Sequence, residues 1–111
     1  MKALTLKTPF AALCLVAAPV SFAAGNAEAG KAKATTCAAC HGADGAKPVA
    51  PAQPVLAGQY ADYLAKAISD YKSGARNNAI MKGFAAGLSN QDIQDLAAWF
   101  ASQGSALSTK R

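Results

Sequence analysis

Two cysteines and a histidine stand close together at residues 37–41, in the order Cys37-Ala38-Ala39-Cys40-His41. If these residues form a helical turn, side chains three positions apart lie on one face. Both thiols then point the same way and can bond the two vinyl groups of a haem as thioethers. His41 follows directly and can bind the iron. In an exported chain this pattern predicts the covalent attachment site of a haem c.

Three other roles for the two cysteines were weighed, and each is less well supported. A structural zinc site needs four Cys or His ligands, whereas the sequence adds only Cys14 and has no second His. A thioredoxin-like redox pair requires a βαβ context, and the flanking segments show almost no β-branched alternation. A structural disulfide fits an oxidising compartment but explains neither the short spacing nor His41.

The first 23 residues resemble a secretory signal peptide. Lys2 and Lys7 form a basic start, an uncharged run extends from Thr8 to Phe22, and small residues surround Ala23. A membrane anchor is disfavoured, because the run is shorter than the ~18 residues expected of a spanning helix and Pro19 interrupts it. We therefore predict a signal peptide at 1–23, a mature domain at 24–111, a periplasmic location and no permanent membrane anchor.

The charge balance argues against nucleic acid as a partner. The whole chain has eleven basic and six acidic residues. Removal of Lys2 and Lys7 leaves nine basic residues, or about +3, and two haem propionates bring the holoprotein close to neutral. Because the sequence also has no Arg/Lys run, we expect no nucleic-acid binding.

The mature chain is predicted to consist of helices joined by an irregular loop. Asn26 can cap a helix over 27–35, and Gly30 in its middle indicates close approach of another element, since it weakens the helix. Residues 42–58 contain three glycines and three prolines, which predicts a loop. Two amphipathic helices follow, with apolar faces formed by Tyr60, Tyr63, Leu64, Ala67, Ile68 and Tyr71, and by Ile93, Leu96, Ala97 and Phe100.

The boundaries of these two helices have their own signals. Gly74 is placed to end the first, and Gly104 to end the second. Ser89 with Asp92 three residues later predicts a capping box at the start of the second.

With this order of elements, the chain resembles the class I c-type cytochromes, in particular the small bacterial monohaem forms and the single halves of two-haem members. The likeness extends from Asn26 to Gln103 and is strongest at Cys37–Gly42, Pro54–Gln59, Ile80–Met81 and from Leu88 to Trp99. It implies an all-α cytochrome c fold, with three main helices and short helical segments around one covalently bound haem.

The resemblance also implies the roles of individual residues. Met81 is the second axial ligand of the iron, opposite His41, and the carbonyl of Pro54 accepts a hydrogen bond from the His41 ring. A His/Met pair leaves no open position on the iron, which disfavours catalysis. The implied function is a periplasmic one-electron carrier, not an enzyme, between respiratory-type redox partners.

Partners are expected to bind transiently at the haem edge, to a protein that is itself a monomer. Candidate docking residues are Lys47, Lys72, Arg76 and Lys82. Arg76 and Asn77 are also candidates to approach a haem propionate. Two alternatives stay open: a haem subunit of a larger dehydrogenase or oxidase, and a ligand-binding haem sensor.

Overall fold

A computed structural model of the chain describes residues 2–5, 7, 9, 11–15, 24–104 and 107. Within these ranges the regular secondary structure is entirely helical, which confirms the predicted fold class. The five helices are α1 (Ala27–Lys33), α2 (Thr35–His41), α3 (Ala61–Ser73), α4 (Ala79–Ala85) and α5 (Asn90–Ala101). None of the described helices has the length and apolar character needed to cross a membrane. The predicted signal-peptide cleavage point at 21–23 lies outside the described residues.

The first two helices follow each other with a single residue between them. The side chain of Asn26 caps α1 by accepting a hydrogen bond from the Ala29 N–H at 3.0 Å. The predicted helix over 27–35 is shorter in the structure, because α1 ends at Lys33. Ala34 is the C-cap of α1 and the N-cap of α2. The C-x-x-C-H residues therefore occupy a helix of their own.

The boundaries of α3 and α5 follow the local signals closely. Gly74 ends α3 with a φ of 88°, in the left-handed region that glycine adopts most easily. Ser89 and Asp92 form the predicted capping box of α5. The helix ends at Ala101, with Ser102 as C-cap, three residues before Gly104. Local capping chemistry thus fixes two of the three predicted boundaries, the end of α3 and the start of α5, whereas α5 ends before Gly104.

Helix α1 crosses α5 at Gly30. A Cβ atom on Gly30 would lie 1.9 Å from the Asp95 carbonyl oxygen and 2.9 Å from the Trp99 Cβ, so no larger residue fits without movement of the backbone. This confirms the close approach that Gly30 predicts. The core beside the crossing is formed by buried apolar side chains of α3 and α5, among them Leu64, Ile93, Leu96 and Phe100.

A buried carboxylate also joins α1 to α5. Asp95 is 3% exposed and accepts hydrogen bonds from the Asn26 N–H at 2.8 Å, from Lys33 Nζ at 2.7 Å and from Gln91 Nε2 at 2.8 Å. Lys33 also pairs with Asp92 at 2.9 Å. Both carboxylate oxygens of Asp95 are thereby hydrogen-bonded, as a buried ion requires.

Candidate functional site

An apolar cavity of about 480 Å³ lies between α2, the loop over 42–58, α3, α4 and α5. This volume is within the range of about 300–1,000 Å³ that is usual for ligand and cofactor sites. Residues from all five segments line the cavity, including Cys37, Cys40, His41, Pro54 and Met81. The structure therefore places these five residues, all of them singled out by the sequence, around one cavity.

Helix α2 carries the two cysteines and the histidine. Cys37 and Cys40 are half-buried free thiols three positions apart on this helix, and both line the cavity. Burial raises the pKa of the Cys37 thiol, which keeps it protonated in the free polypeptide. His41 is the last residue of α2 and is 6% exposed. Two thiols and an imidazole thus face one apolar space.

The His41 ring is held by the loop that follows α2. Its Nδ1 atom lies 2.8 Å from the Pro54 carbonyl oxygen. Because a carbonyl only accepts, Nδ1 donates the hydrogen bond and carries the proton. In the tautomer that this hydrogen bond selects, Nε2 is the nitrogen available to bind a metal ion.

Backbone contacts hold the Pro54 loop against the helices. The Val49 N–H donates to the Cys40 carbonyl at 3.0 Å, and the Gly58 N–H donates to the Phe100 carbonyl at 2.9 Å. Gly42, which begins the loop, has a φ of 89°, and a Cβ there would lie 2.5 Å from the Lys47 carbonyl oxygen. The position of the Pro54 carbonyl is therefore determined by contacts with both α2 and α5.

Met81 lies in the first turn of α4, on another wall of the cavity. The side chain of Asn78 caps this helix by accepting a hydrogen bond from the Met81 N–H at 3.0 Å. Asn78 also lines the cavity, whereas the neighbouring Asn77 does not. The cap therefore fixes the backbone of Met81 directly.

The remaining walls are mostly apolar or aromatic. Tyr63 and Tyr71 of the α3 face line the cavity, while Tyr60 at the start of that face does not. Gln53 also lines it, and its buried Oε1 has no hydrogen-bond partner among the described residues. Since an unpaired buried acceptor costs about 1–3 kcal/mol, this oxygen is available to a donor on a bound group.

The charged residues of the cavity wall are all cations. Lys33 and Arg76 line it, and none of the lining residues is acidic. Lys33 is paired with Asp95 and Asp92, and these two carboxylates hold its pKa above the usual range. Arg76 lies over the ring of Tyr71, with 4.7 Å between its guanidinium carbon and the ring centre. The cavity is thus suited to a large apolar group that also carries negative charge.

The residues present fit a haem. Two thiols on one helix face are available for thioether bonds, a neutral imidazole and a thioether are suitable iron ligands, and the cavity between them is apolar and of suitable volume. Among the described residues no cluster of three or more His, Cys, Asp or Glu side chains could hold a metal ion.

Two parts of the arrangement were not identified from the sequence. Asn78 has the signal of an N-cap, an Asn directly before a short apolar segment, and this signal points to the start of α4. Asp95 lies next to the predicted apolar face of α5, but its partners Asn26 and Lys33 are more than 60 residues away. No local pattern predicts such a contact.

Comparison with known families gives the identity of this fold. Residues 27–104 match the family model described as cytochrome c. The chain belongs to the cytochrome c family. Membership implies a covalently bound haem c, and the general activity of the family is electron transfer.

Curated relatives include both longer and equally short cytochromes. The chain is 54% identical to cytochrome c4 of Pseudomonas aeruginosa over 84 residues, which are 76% of this chain and 41% of that protein. It is 49% identical to cytochrome c-554(548) of Halomonas halodenitrificans over 83 residues, with 72% of this chain and 99% of that protein covered. The thiosulfate dehydrogenase electron acceptor of Thiomonas intermedia is 43% identical over 84 residues, 76% of this chain and 36% of that protein.

A solved structure agrees with this assignment. Reduced recombinant cytochrome c4 from Pseudomonas stutzeri superposes with a TM-score of 0.69 at 42% sequence identity, covering 75% of this chain and 48% of that chain. The predicted cytochrome c fold is therefore confirmed. The chain spans about half the length, or less, of the cytochrome c4 proteins that it matches.

Proposed function

We propose that the chain is a one-electron carrier with a single haem c, bound through Cys37 and Cys40 and ligated by His41 and Met81. One observation supports this proposal most strongly. The two thiols, the imidazole and the thioether all line the same apolar cavity. In addition, the Pro54 carbonyl accepts a hydrogen bond from Nδ1 of His41, which leaves Nε2 to face the iron.

When bound, the haem supplies a one-electron change between ferric and ferrous iron. His41, held in one tautomer by Pro54, gives a fixed imidazole ligand. Met81 gives a soft thioether, which stabilises ferrous iron and raises the potential relative to a second histidine. The apolar walls exclude water and disfavour the extra charge of the ferric state. If His41 and Met81 both held the iron, the site would offer no iron position to a substrate.

Electron exchange would take place where the cavity opens to the surface. Tyr63, Ile80 and Phe84 line the cavity and are 53%, 69% and 48% exposed. Lys47, Lys72, Arg76 and Lys82 are exposed as well. We infer that redox partners bind this region briefly and that the carrier acts as a monomer.

We also propose that the protein is exported and acts in the periplasm after removal of residues 1–23. The basic start and the uncharged, largely apolar run of this segment support export. Leu4, Leu13 and Leu15 are between 86% and 88% exposed, so the folded domain does not use these apolar side chains in its core.

A second candidate function is that of an electron-accepting haem domain fixed in a larger dehydrogenase. The likeness to a thiosulfate dehydrogenase electron acceptor favours it. A stable stoichiometric complex on purification from the native cell would support this function over the free carrier. A haem sensor of gases would instead require that Met81 leave the iron.

Covalent attachment is tested by exporting the full chain in cells that mature c-type cytochromes. We expect the purified protein to start near Ala24 and to have the mass of the polypeptide plus one haem, which acidified acetone does not extract. Cys37→Ser and Cys40→Ser each lose one thioether bond, whereas Cys14→Ser, a matched control in the predicted signal peptide, changes nothing. A haem-free or acetone-extractable native product contradicts the proposal.

A further inference from the structure

We propose that Arg76 is a haem-binding residue that pairs with a propionate carboxylate at the mouth of the cavity, and that Tyr71 holds its guanidinium in place. This inference rests on the proposed function, because it requires a haem in the cavity. A haem c carries two carboxylates in addition to its apolar ring, and these carboxylates need polar or cationic partners if they are not fully solvated.

The charges of the cavity wall single out Arg76. Of the two cations that line the cavity, Lys33 already forms ion pairs with Asp95 at 2.7 Å and with Asp92 at 2.9 Å. Arg76 is not part of any ion pair among the described residues. Since no acidic residue lines the cavity, Arg76 is a cation without a carboxylate partner in a wall that faces an anionic cofactor.

The local structure holds Arg76 in this position. Its guanidinium carbon lies 4.7 Å from the centre of the Tyr71 ring, a cation–π contact. Its backbone N–H donates to the Asp70 carbonyl at 3.1 Å. Tyr71 also lines the cavity, so the ring fixes the cation beside the space that the haem would fill.

An arginine is well matched to a carboxylate. The planar guanidinium can donate two parallel hydrogen bonds to one carboxylate, which a lysine cannot do. Arg76 lies five residues before Met81, and Asn78 between them caps the helix that carries Met81. The same short segment would therefore bind the iron through Met81 and the haem edge through Arg76.

Loss of this pair has a defined effect on the haem. A cation beside the propionate compensates the negative charge that would otherwise stabilise ferric iron. Arg76→Gln should therefore lower the reduction potential and raise the ratio of ferric to ferrous protein at fixed ambient potential roughly three- to tenfold. A tenfold change corresponds to about 59 mV for one electron.

The experiment compares holoprotein variants by redox titration and by resonance Raman spectroscopy of the propionate bending mode. Lys82→Gln is the matched control, because Lys82 carries the same charge, follows Met81 directly and does not line the cavity. We expect Arg76→Gln to shift the propionate band and to lower the potential more than Lys82→Gln. Arg76→Lys should fall between the native protein and Arg76→Gln, and it serves as the test if Arg76→Gln fails to fold.

Two failures can be told apart. If Arg76→Gln has covalent haem and a methionine–iron absorption band but matches Lys82→Gln in both measurements, the inference is wrong and the proposed function stands. If the native protein carries no covalent haem, the proposed function itself fails. A shift of the propionate band in Lys82→Gln equal to that in Arg76→Gln would also overturn the assignment of Arg76.

Discussion

At the scale of single residues, a few polar contacts fix the atoms that the chemistry needs. The Pro54 carbonyl sets the His41 tautomer, and the Asn78 side chain holds the Met81 backbone. Asp95 does the same for the fold by joining Asn26 and Lys33 to α5. Each contact gives a polar group of the protein a specific hydrogen-bond partner within the fold.

The Asn78 cap provides a direct test at this scale. Asn78→Ala should lower the free energy of unfolding by about 1 kcal/mol, because one N–H in the first turn of α4 loses its acceptor. We also expect the methionine–iron absorption band to disappear at a lower guanidinium concentration than in the native protein. Denaturant titrations of the ferric holoprotein measure both effects.

The control for this cap is the neighbouring Asn77. Asn77→Ala changes the same side chain one position earlier, where the residue is exposed and does not line the cavity. Equal decreases in the free energy of unfolding and in the stability of the methionine–iron band in the two variants would show that the cap does not support Met81.

The Asp92 and Asp95 carboxylates predict how stability depends on pH. Hydrogen bonds from Lys33 and Ser89 lower the pKa of Asp92 to about 2, and those from the Asn26 N–H, Lys33 and Gln91 lower the pKa of Asp95 to about 2. Because the folded-state values lie below the ordinary value of 3.8, the unfolded chain binds more protons between about pH 4 and pH 2. The contribution of these two carboxylates to the free energy of unfolding is therefore fully present above about pH 4 and is lost as the pH falls towards 2.

Acid titration of variants tests this dependence. Asp95→Asn should be less stable than the native protein at pH 7 and should lose less stability between pH 4 and pH 2. Glu28→Gln, which removes an exposed carboxylate from α1, should keep the native acid dependence. An unchanged acid slope in Asp95→Asn would show that this carboxylate does not link α1 to α5.

At the scale of elements, the crossing of α1 and α5 determines where the cavity can form. Gly30 allows the two backbones to meet at Asp95, and Gly25 meets α5 in the same way, with a Cβ there only 1.9 Å from the Gln94 carbonyl oxygen. Helix α2 follows α1 after one residue. The position of the C-x-x-C-H helix therefore depends on this crossing.

Two glycine substitutions test the crossing by opposite effects. Gly30→Ala should destabilise the protein by about 1–3 kcal/mol, because its Cβ meets backbone atoms, despite the better helix propensity of alanine. Gly83→Ala in α4 has nothing within 4 Å of the new Cβ and should stabilise by about 0.5–1 kcal/mol. Thermal unfolding of both holoproteins measures the difference, and a stabilising Gly30→Ala would contradict the close packing.

Sequence patterns predict elements well where the signal is local. The Asn26 and Ser89 caps, the end of α3 at Gly74 and the helical C-x-x-C-H segment all follow from neighbouring residues. The break at Ala34 was not predicted, since this alanine-rich segment has no cap residue there. The start of α4 was missed although Asn78 carries the signal of an N-cap. Asp95 could not be predicted, because its partners come from the opposite end of the domain.

At the scale of the whole molecule, five separate segments meet around one cavity, and three of these segments also carry exposed lysines. Lys47 lies on the loop that holds Pro54, and Lys82 follows Met81 on α4. Lys72 donates to the Leu88 carbonyl and so joins α3 to the segment before α5. Positive potential from these lysines would attract anionic partners over a distance set by salt.

Oxidation by the anionic reagent hexacyanoferrate(III) tests this surface. The double variant Lys47→Gln/Lys82→Gln should be oxidised roughly two- to fivefold more slowly than the native ferrous protein at low salt, and the rates should converge at high salt. Lys31→Gln/Lys66→Gln removes the same net charge from α1 and α3 and should slow the reaction less. Equal rates for all three proteins at low salt would rule out a steering role for Lys47 and Lys82.

We propose that His41 and Met81 together ligate the haem iron. Visible spectra of the matured protein, ferric and ferrous, with and without carbon monoxide, test it most directly beside Met81→Ala. We expect low-spin iron, a sulfur-to-iron absorption band that is lost in Met81→Ala, and carbon monoxide binding only by the variant. High-spin iron or ready carbon monoxide binding in the native protein would contradict it and would favour ligand sensing or catalysis.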